Sequence, residues 1–397
     1  MSGRVSRRVS RRTLIHSARL VTDGVVRERG WVLFDGDTIA AVGDGRHPED
    51  FANGTVLADA ATTLVDAAGR WLTPGFIDIH CHGAGGASFD EGGDAIRTAL
   101  GVHRAHGTTR SVLSLVTAAL PHLEEQLAVI AAVATADPLI LGAHLEGPFL
   151  DAAHKGAHDP ALLRSPTPDD VERLLEAGSG RLCQVTLAPE LDGGMQAVSR
   201  FTAAGVSVAV GHTAADYETT LAAFDAGAHI LTHAFNAMDG IRHRAPGPVA
   251  AATATDGVTL EIINDGVHVH PEVVRIAFAA APGRIALVTD AMAAAGASDG
   301  EYLLGNLSVI VTNGIARLTD GGSIAGSTLT QDAALRLAVT SVGLSMEAAV
   351  DALTRIPARA IGRADDLGRL APGYAADAVL LNAQLTVDTV WAAGRVL

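Results

Sequence analysis

The chain of 397 residues reads as an α/β protein built on a closed, TIM-like (β/α)8 barrel, with a small all-β unit in front of it. Three observations carry that reading. From Gly75 onward, short β-prone apolar runs alternate with Ala/Leu-rich helical stretches, the pattern of a parallel sheet. The runs number eight: FIDIH, TRSVLSLVT, LILGAHLEG, LCQVTLAP, VSVAVGH, HILTHAFN, LEIIND and RIALVTD. The ends of these runs repeatedly carry residues that bind metal. A doubly wound open sheet fits the alternation too, but no Gly-x-Gly-x-x-Gly loop follows its first strand.

Residues 13 to about 72 hold short strand patterns and turn residues, with no helix pattern. GWVLFDGDTIAAVGDG places two β-prone runs around an Asp-Gly turn, a hairpin signal. The barrel is expected over residues 73–359. After the eighth run, GGSIAGSTLTQDAALRLAV leads into a helix for which Ser327 or Thr328 is the expected N-cap. The last stretch, DLGRLAPGYAADAVLLN, returns to strands. It adds to the N-terminal unit if the termini lie close together.

Composition narrows the function. With 48% hydrophobic and 18% charged residues, the chain can build a large core. A net charge of −15 argues against a nucleic-acid partner, although one pocket can still be locally positive. Two cysteines, Cys81 and Cys183, make no disulfide framework, so a reducing, cytoplasmic setting is expected. Cys81 sits between two strand histidines and faces the helix layer as a small hydrophobe. The basic start, MSGRVSRRVSRR, is not followed by an apolar segment, so no leader is expected. No stretch is apolar enough to suggest a membrane span.

The chemistry lies at the C-terminal ends of the strands, where a parallel barrel keeps its functional side chains. His80 and His82 are two apart on the first strand and therefore share a face. The third strand offers Glu146, the fifth His212, the sixth His233 and the eighth Asp290, and NDGVHVHP after the seventh offers His268. Imidazoles with a carboxylate suit a divalent metal. An open coordination position lowers the pKa of water and yields a hydroxide nucleophile. Asp290 can take the water proton and return it to a leaving group. No serine elbow or Cys-His pair competes, so the residues point to metal-assisted hydrolysis. His103 and His106 read as structural residues at a helix end, and His144 as packing beneath Glu146. His16, His47 and His122 carry no signal, and His229, His243 and His270 only flank better candidates.

PGFIDIHCHG, HLEGPFLDAAHKGAHDP, VGHT, THAFNAM, RAPG, DGVHV and LVTDAMAAAG together resemble the N-acetylglucosamine-6-phosphate deacetylase family of the metal-dependent amidohydrolase superfamily. The resemblance covers nearly the whole chain. HLEGPF followed by KGAH is its most specific piece, whereas PGFIDIHCHG marks only the superfamily. It implies a discontinuous β-sandwich, residues 1–72 with 360–397, around the barrel. It also implies Glu146, His212 and His233 as main metal ligands and Asp290 as catalytic carboxylate. His158, ending KGAH, matches the histidine that contacts the sugar and polarises the acetyl carbonyl. The backbone of Asn236 and Ala237 matches part of a phosphate grip whose basic members are Arg244 and His268. In the family that arginine reaches in from a neighbouring subunit, which implies a homodimer. Some members lack the first-strand pair and hold one ion. Here His80 and His82 imply a second ion, with Glu146 as bridge. Zinc is the first expectation, with Fe, Mn, Co or Cd as alternatives. Ala245 stands where an acidic residue is common.

The expected reaction is hydrolysis of N-acetyl-D-glucosamine 6-phosphate to D-glucosamine 6-phosphate and acetate, in amino-sugar breakdown. The galactosamine isomer is the near alternative. A cyclic-amide hydrolase would typically use a carboxylated lysine, and no lysine ends the fourth strand. A non-catalytic scaffold should have lost ligands, and all six are present.

Overall fold

A computed structural model describes residues 12–45 and 62–397. The basic start and His47 lie outside the described residues.

Eight parallel strands form one sheet in sequence order. They are Phe76–Cys81, Thr108–Val116, Ile140–Glu146, Leu182–Leu187, Ser207–Val210, Ile230–Leu231, Thr259–Ile263 and Ile285–Val288. Each overlaps one of the eight runs expected from sequence. The sixth strand is only two residues, Ile230 and Leu231, which still pair on both sides. The first and eighth strands meet just past their ends. Asp290 N–H donates to the His80 carbonyl at 2.8 Å, and His82 N–H donates to the Ala291 carbonyl at 2.8 Å. Lower down, the Thr289 hydroxyl donates to Asp78 at 2.6 Å. The barrel therefore closes at the same residues that carry the candidate chemistry.

Helices follow the strands, and local sequence starts them. Thr167 and Asp170 cap Pro168–Gly178 reciprocally, each side chain accepting the other's backbone N–H at 3.2 Å. Such a cap is worth about 1 kcal/mol. Val171 and Leu174 on that helix face the barrel core. The helix after the Gly-rich segment begins at Gln331 with Thr330 as N-cap, not at Ser327 or Thr328. Ser327 is committed elsewhere: its N–H donates to the Asp290 carbonyl at 2.7 Å and its hydroxyl to that of Thr289. It braces the segment that carries Asp290.

A second, mixed sheet joins the two ends of the chain. Arg12–Thr22 pairs with Val25–Asp35 and, along its length, with Thr63–Asp66 and Trp71–Pro74. Trp71–Pro74 also pairs with Ala378–Leu381, which pairs with Val387–Ala392. One face closes on Ile15, Phe34, Ile39, Leu72, Leu380 and Trp391. The division expected after residue 72 falls inside the strand Trp71–Pro74, because this strand is held by the C-terminal one. Arg110 of the second barrel strand forks onto Asp377 at 2.6 and 3.2 Å, tying barrel to sheet.

Sequence reading did not anticipate a three-stranded antiparallel sheet after the eighth strand: Gly300–Leu304, Leu307–Thr312 and Ile315–Leu318. Asn313 and Gly314 make its second turn with φ of 52° and 73°, both in the left-handed region. It packs its own small core, including Val309, Val311 and Ala316, over the barrel mouth.

Candidate metal centre

The first barrel strand delivers His80 and His82 side by side, with Nε2 atoms 3.3 Å apart. Glu146, ending the third strand, lies between them and the histidines of later strands. Its Oε1 is 3.3 Å from His80 Nε2, 3.1 Å from His212 Nε2 and 3.0 Å from His233 Nε2. Its Oε2 is 3.1 Å from His82 Nε2. Asp290 closes the ring from the eighth strand, with Oδ1 3.2 Å from His82 Nε2 and 3.6 Å from His80 Nε2. Two ligand sets result, and Glu146 belongs to both: His80, His82, Glu146 and Asp290, and Glu146, His212 and His233. All six residues are buried.

The backbone is bent to achieve this. His212, His233 and Asp290 have φ of 48°, 26° and 48°, values that L-residues adopt at a cost of order 1–3 kcal/mol each. Directly past a strand end, such a turn swings the side chain over the barrel mouth. Gly156 sits against the His212 ring, where an added Cβ would come within 3.0 Å of Cε1.

Whether these residues fit a cation can be read from their protons. His80 Nδ1 lies 3.0 Å from Glu261 Oε2, and a carboxylate only accepts, so Nδ1 carries hydrogen and, in the neutral ring that a cation requires, Nε2 presents its lone pair. His212 Nδ1 donates to the His154 carbonyl at 2.9 Å, with the same result. The His212 and His233 Nε2 atoms lie 3.0 Å apart and converge on the same carboxylate oxygen, Glu146 Oε1. The electrostatics agree. Burial opposes charge on His82, yet bonds to Asp290 and Glu146 push its pKa up to about 9. Burial takes His212 down to about 4 despite Glu146. Burial also opposes charge on Glu146, but His80 and the close ring nitrogens of His158, His212 and His233 hold it well below the usual carboxylate range. The carboxylates favour positive charge among these nitrogens, and a divalent cation would supply it with the imidazoles neutral.

His158 is built differently. Its Nδ1 accepts from the Thr117 backbone N–H at 3.3 Å and lies 2.8 Å from the Thr117 hydroxyl. The neutral ring therefore keeps its hydrogen on Nε2, which points toward Glu146 Oε2 at 3.6 Å. His158 presents a donor to the cavity, while His80 and His212 present lone pairs. His144 lies beneath, between Ser114 Oγ at 2.9 Å and Thr186 Oγ1 at 2.8 Å, and burial pushes its pKa well below the ordinary value. His103 reaches the Gly83 carbonyl at 3.1 Å, and His106 reaches Asp332 at 3.0 Å.

A cavity of about 300 Å³ opens over the ligand sets, lined among others by His82, Glu146, His158, His212, His233 and Asp290. Its other wall holds Asn236, Ala237 and His268. Asp265 accepts from His268 Nδ1 at 2.7 Å and, against the opposing effect of burial, raises its pKa. Leu304, Ser323 and Ile324 from the unanticipated sheet and its following loop complete the mouth. Arg244 does not join them: it is exposed on the loop before the helix Gly247–Ala254. Sequence reasoning also missed Glu261, Gln184 and Thr117, which contact site residues from below or behind.

The model of the amidohydrolase family matches residues 71–397. Among characterised relatives, N-acetylgalactosamine-6-phosphate deacetylase of Escherichia coli O157:H7 is 36% identical over 355 residues, covering 88% of this chain and 94% of the relative. N-acetylglucosamine-6-phosphate deacetylase of Vibrio furnissii is 35% identical, covering 82% of each. A solved structure of N-acetyl-D-glucosamine-6-phosphate deacetylase from Mycobacterium smegmatis, a mutant in complex with N-acetyl-D-glucosamine-6-phosphate, aligns with a TM-score of 0.90 at 41% identity. It covers 97% of this chain and 99% of that one. With a barrel closed at its own ligand residues and this similarity over nearly its full length, the chain belongs to the amidohydrolase family.

Proposed function

We propose that this protein hydrolyses the N-acetyl group of N-acetyl-D-glucosamine 6-phosphate, giving D-glucosamine 6-phosphate and acetate. The observation that carries this reading is the division of one cavity into a ligand-lined end and an end with His268, whose charged form Asp265 favours. The likeness to deacetylases of phosphorylated amino sugars supports the substrate class.

In this reading Glu146, His212 and His233 would hold one divalent ion, and His80 and His82 together with Glu146 would hold a second. Zinc suits the nitrogen-rich donor set. When bound, such an ion acidifies water and polarises a carbonyl. Asp290 accepts the proton of the attacking water and delivers it to the departing amine. His158, with hydrogen on Nε2, donates to the acetyl oxygen as negative charge develops there. His268 and the backbone of Asn236 and Ala237 receive the phosphate. Arg244, exposed and away from its own chain's cavity, serves a neighbouring copy in a homodimer, where its fork suits phosphate oxygens. Two free thiols support a reducing, cytoplasmic setting, and no helix among the described residues is long and apolar enough to cross a membrane.

The galactosamine isomer is a second reading, favoured by the name of one relative at 36% identity. A cyclic-amide hydrolase with a carboxylated lysine is disfavoured. The chain's single lysine, Lys155, turns its amine toward the Gly156 and His158 carbonyls at 3.5 and 3.4 Å. The test is amine release with divalent metal from both phosphorylated isomers and from unphosphorylated N-acetylglucosamine. Fast release from the glucosamine 6-phosphate derivative is expected. Turnover of the unphosphorylated sugar at the same rate would overturn the phosphate reading.

A further inference from the structure

We propose that Glu261 is the positioning residue on which the second ion depends. The inference rests on the two-ion reading above. Glu261 lies on the seventh barrel strand between Leu260 and Ile262 and is fully buried. Its Oε2 accepts from His80 Nδ1 at 3.0 Å and, more weakly, from the His233 backbone N–H at 3.4 Å. Its Oε1 accepts from Gln184 Nε2 at 2.8 Å. A carboxylate in a barrel interior is costly unless its oxygens are satisfied, and both are. The arrangement has one chemical consequence. By accepting the Nδ1 hydrogen bond, Glu261 holds the neutral His80 ring in the tautomer whose Nε2 lone pair faces Glu146 and Asp290. A ligand histidine braced in this way is both oriented and made more basic. His82 has no such brace, since its Nδ1 has no partner among the described residues. The set of His80, His82 and Asp290 therefore relies on one buried carboxylate. The other set has its own brace in the bond from His212 to the His154 carbonyl.

The neighbours determine what each substitution does. Glu261→Leu removes both acceptors at similar volume. His80 Nδ1 then loses its acceptor, and the ring can exchange tautomer or turn. Glu261→Gln keeps one acceptor. The Gln184 Oε1, which has no partner among the described residues, can rotate to accept from the new amide. The amide oxygen is then free for His80.

The experiment is metal titration of the purified full-length protein, stripped by chelator, with Zn2+ or Co2+, counting ions and both affinities for wild type and the two variants. Circular dichroism and thermal melting check the fold alongside. Wild type is expected to hold two ions. Glu261→Leu should keep the tighter one within about 3-fold and lose the other by 10- to 100-fold or more in affinity. Glu261→Gln should recover most of that loss. Two ions of unchanged affinity in Glu261→Leu would overturn this proposal and leave the two-ion reading standing. A single ion in the wild type would overturn both. If Glu261→Leu fails to fold, Glu261→Ala, whose side chain cannot reach His80, is titrated in its place: a selective loss of the second ion is expected, and two ions of unchanged affinity overturn the proposal.

Discussion

The two ends of the cavity are built to different standards of closure. At the metal end, every candidate ligand is buried and belongs to a barrel strand end, and His80 and His212 are each braced through the other ring nitrogen. At the far end, His268 is braced by Asp265, but the remaining groups are backbone and loop, and Arg244 lies outside. A group that must hold a cation in one geometry needs rigid elements around it. A group that must admit and release a sugar phosphate needs access. The difference also separates what one chain supplies from what a neighbour would supply.

The largest effect should come from the metal end. Asp290→Asn is expected to lower kcat by about 10²–10⁴-fold while ions remain bound, because it removes proton transfer. Near-normal turnover with intact metal content would break the assignment. At the far end, Arg244→Ala should raise KM for the phosphorylated sugar about 10- to 100-fold, the worth of a charge-assisted contact, and leave the unphosphorylated sugar unaffected. Mixed dimers of Arg244→Ala and Asp290→Asn should regain part of the activity, and absence of recovery in verified mixed dimers would return the arginine to its own subunit.

Acid should loosen the metal end from outside. His103, which braces the Gly83 carbonyl behind His82, has its pKa pushed down to about 4 by burial. A histidine neutral in the fold and protonated when unfolded costs stability as pH drops below its unfolded pKa. The loss begins near pH 6.5 and is complete near 4, and amounts to about 2 kcal/mol between pH 7 and 5. Denaturant unfolding at both pH values should give that slope in wild type and lose that share of it in His103→Gln. An equal slope in both would show that His103 protonates as readily in the folded protein. The smallest effect is expected at His158. Thr117→Val removes the hydroxyl that fixes its tautomer but leaves the backbone N–H. A drop of about 10-fold in kcat with unchanged metal affinity is expected, and loss of metal would instead make Thr117 part of the ion's support.

The ligand residues were legible in the sequence because one residue type recurred where runs of buried strand end, and a barrel brings all such ends to one rim. Glu261 was passed over inside LEIIND, which was read as simply apolar. A lone carboxylate between Leu260 and Ile262 in a strand buried on both faces was itself a signal. The extra sheet was also announced, by Asn313-Gly314, a hairpin pair with a stated backbone requirement. Thr117 gave no signal, since its bond to His158 spans 41 residues.

The chain's own order of residues determined the eight strands, the ligand types at their ends and the absence of a competing nucleophile, because these follow from periodicity and side-chain chemistry. Only the tertiary structure decided which histidines present lone pairs and which presents hydrogen. That choice is made by the partner of the other ring nitrogen: Glu261 for His80, the His154 carbonyl for His212 and Thr117 for His158. Such partners are brought together by barrel closure, and no local pattern in sequence encodes them.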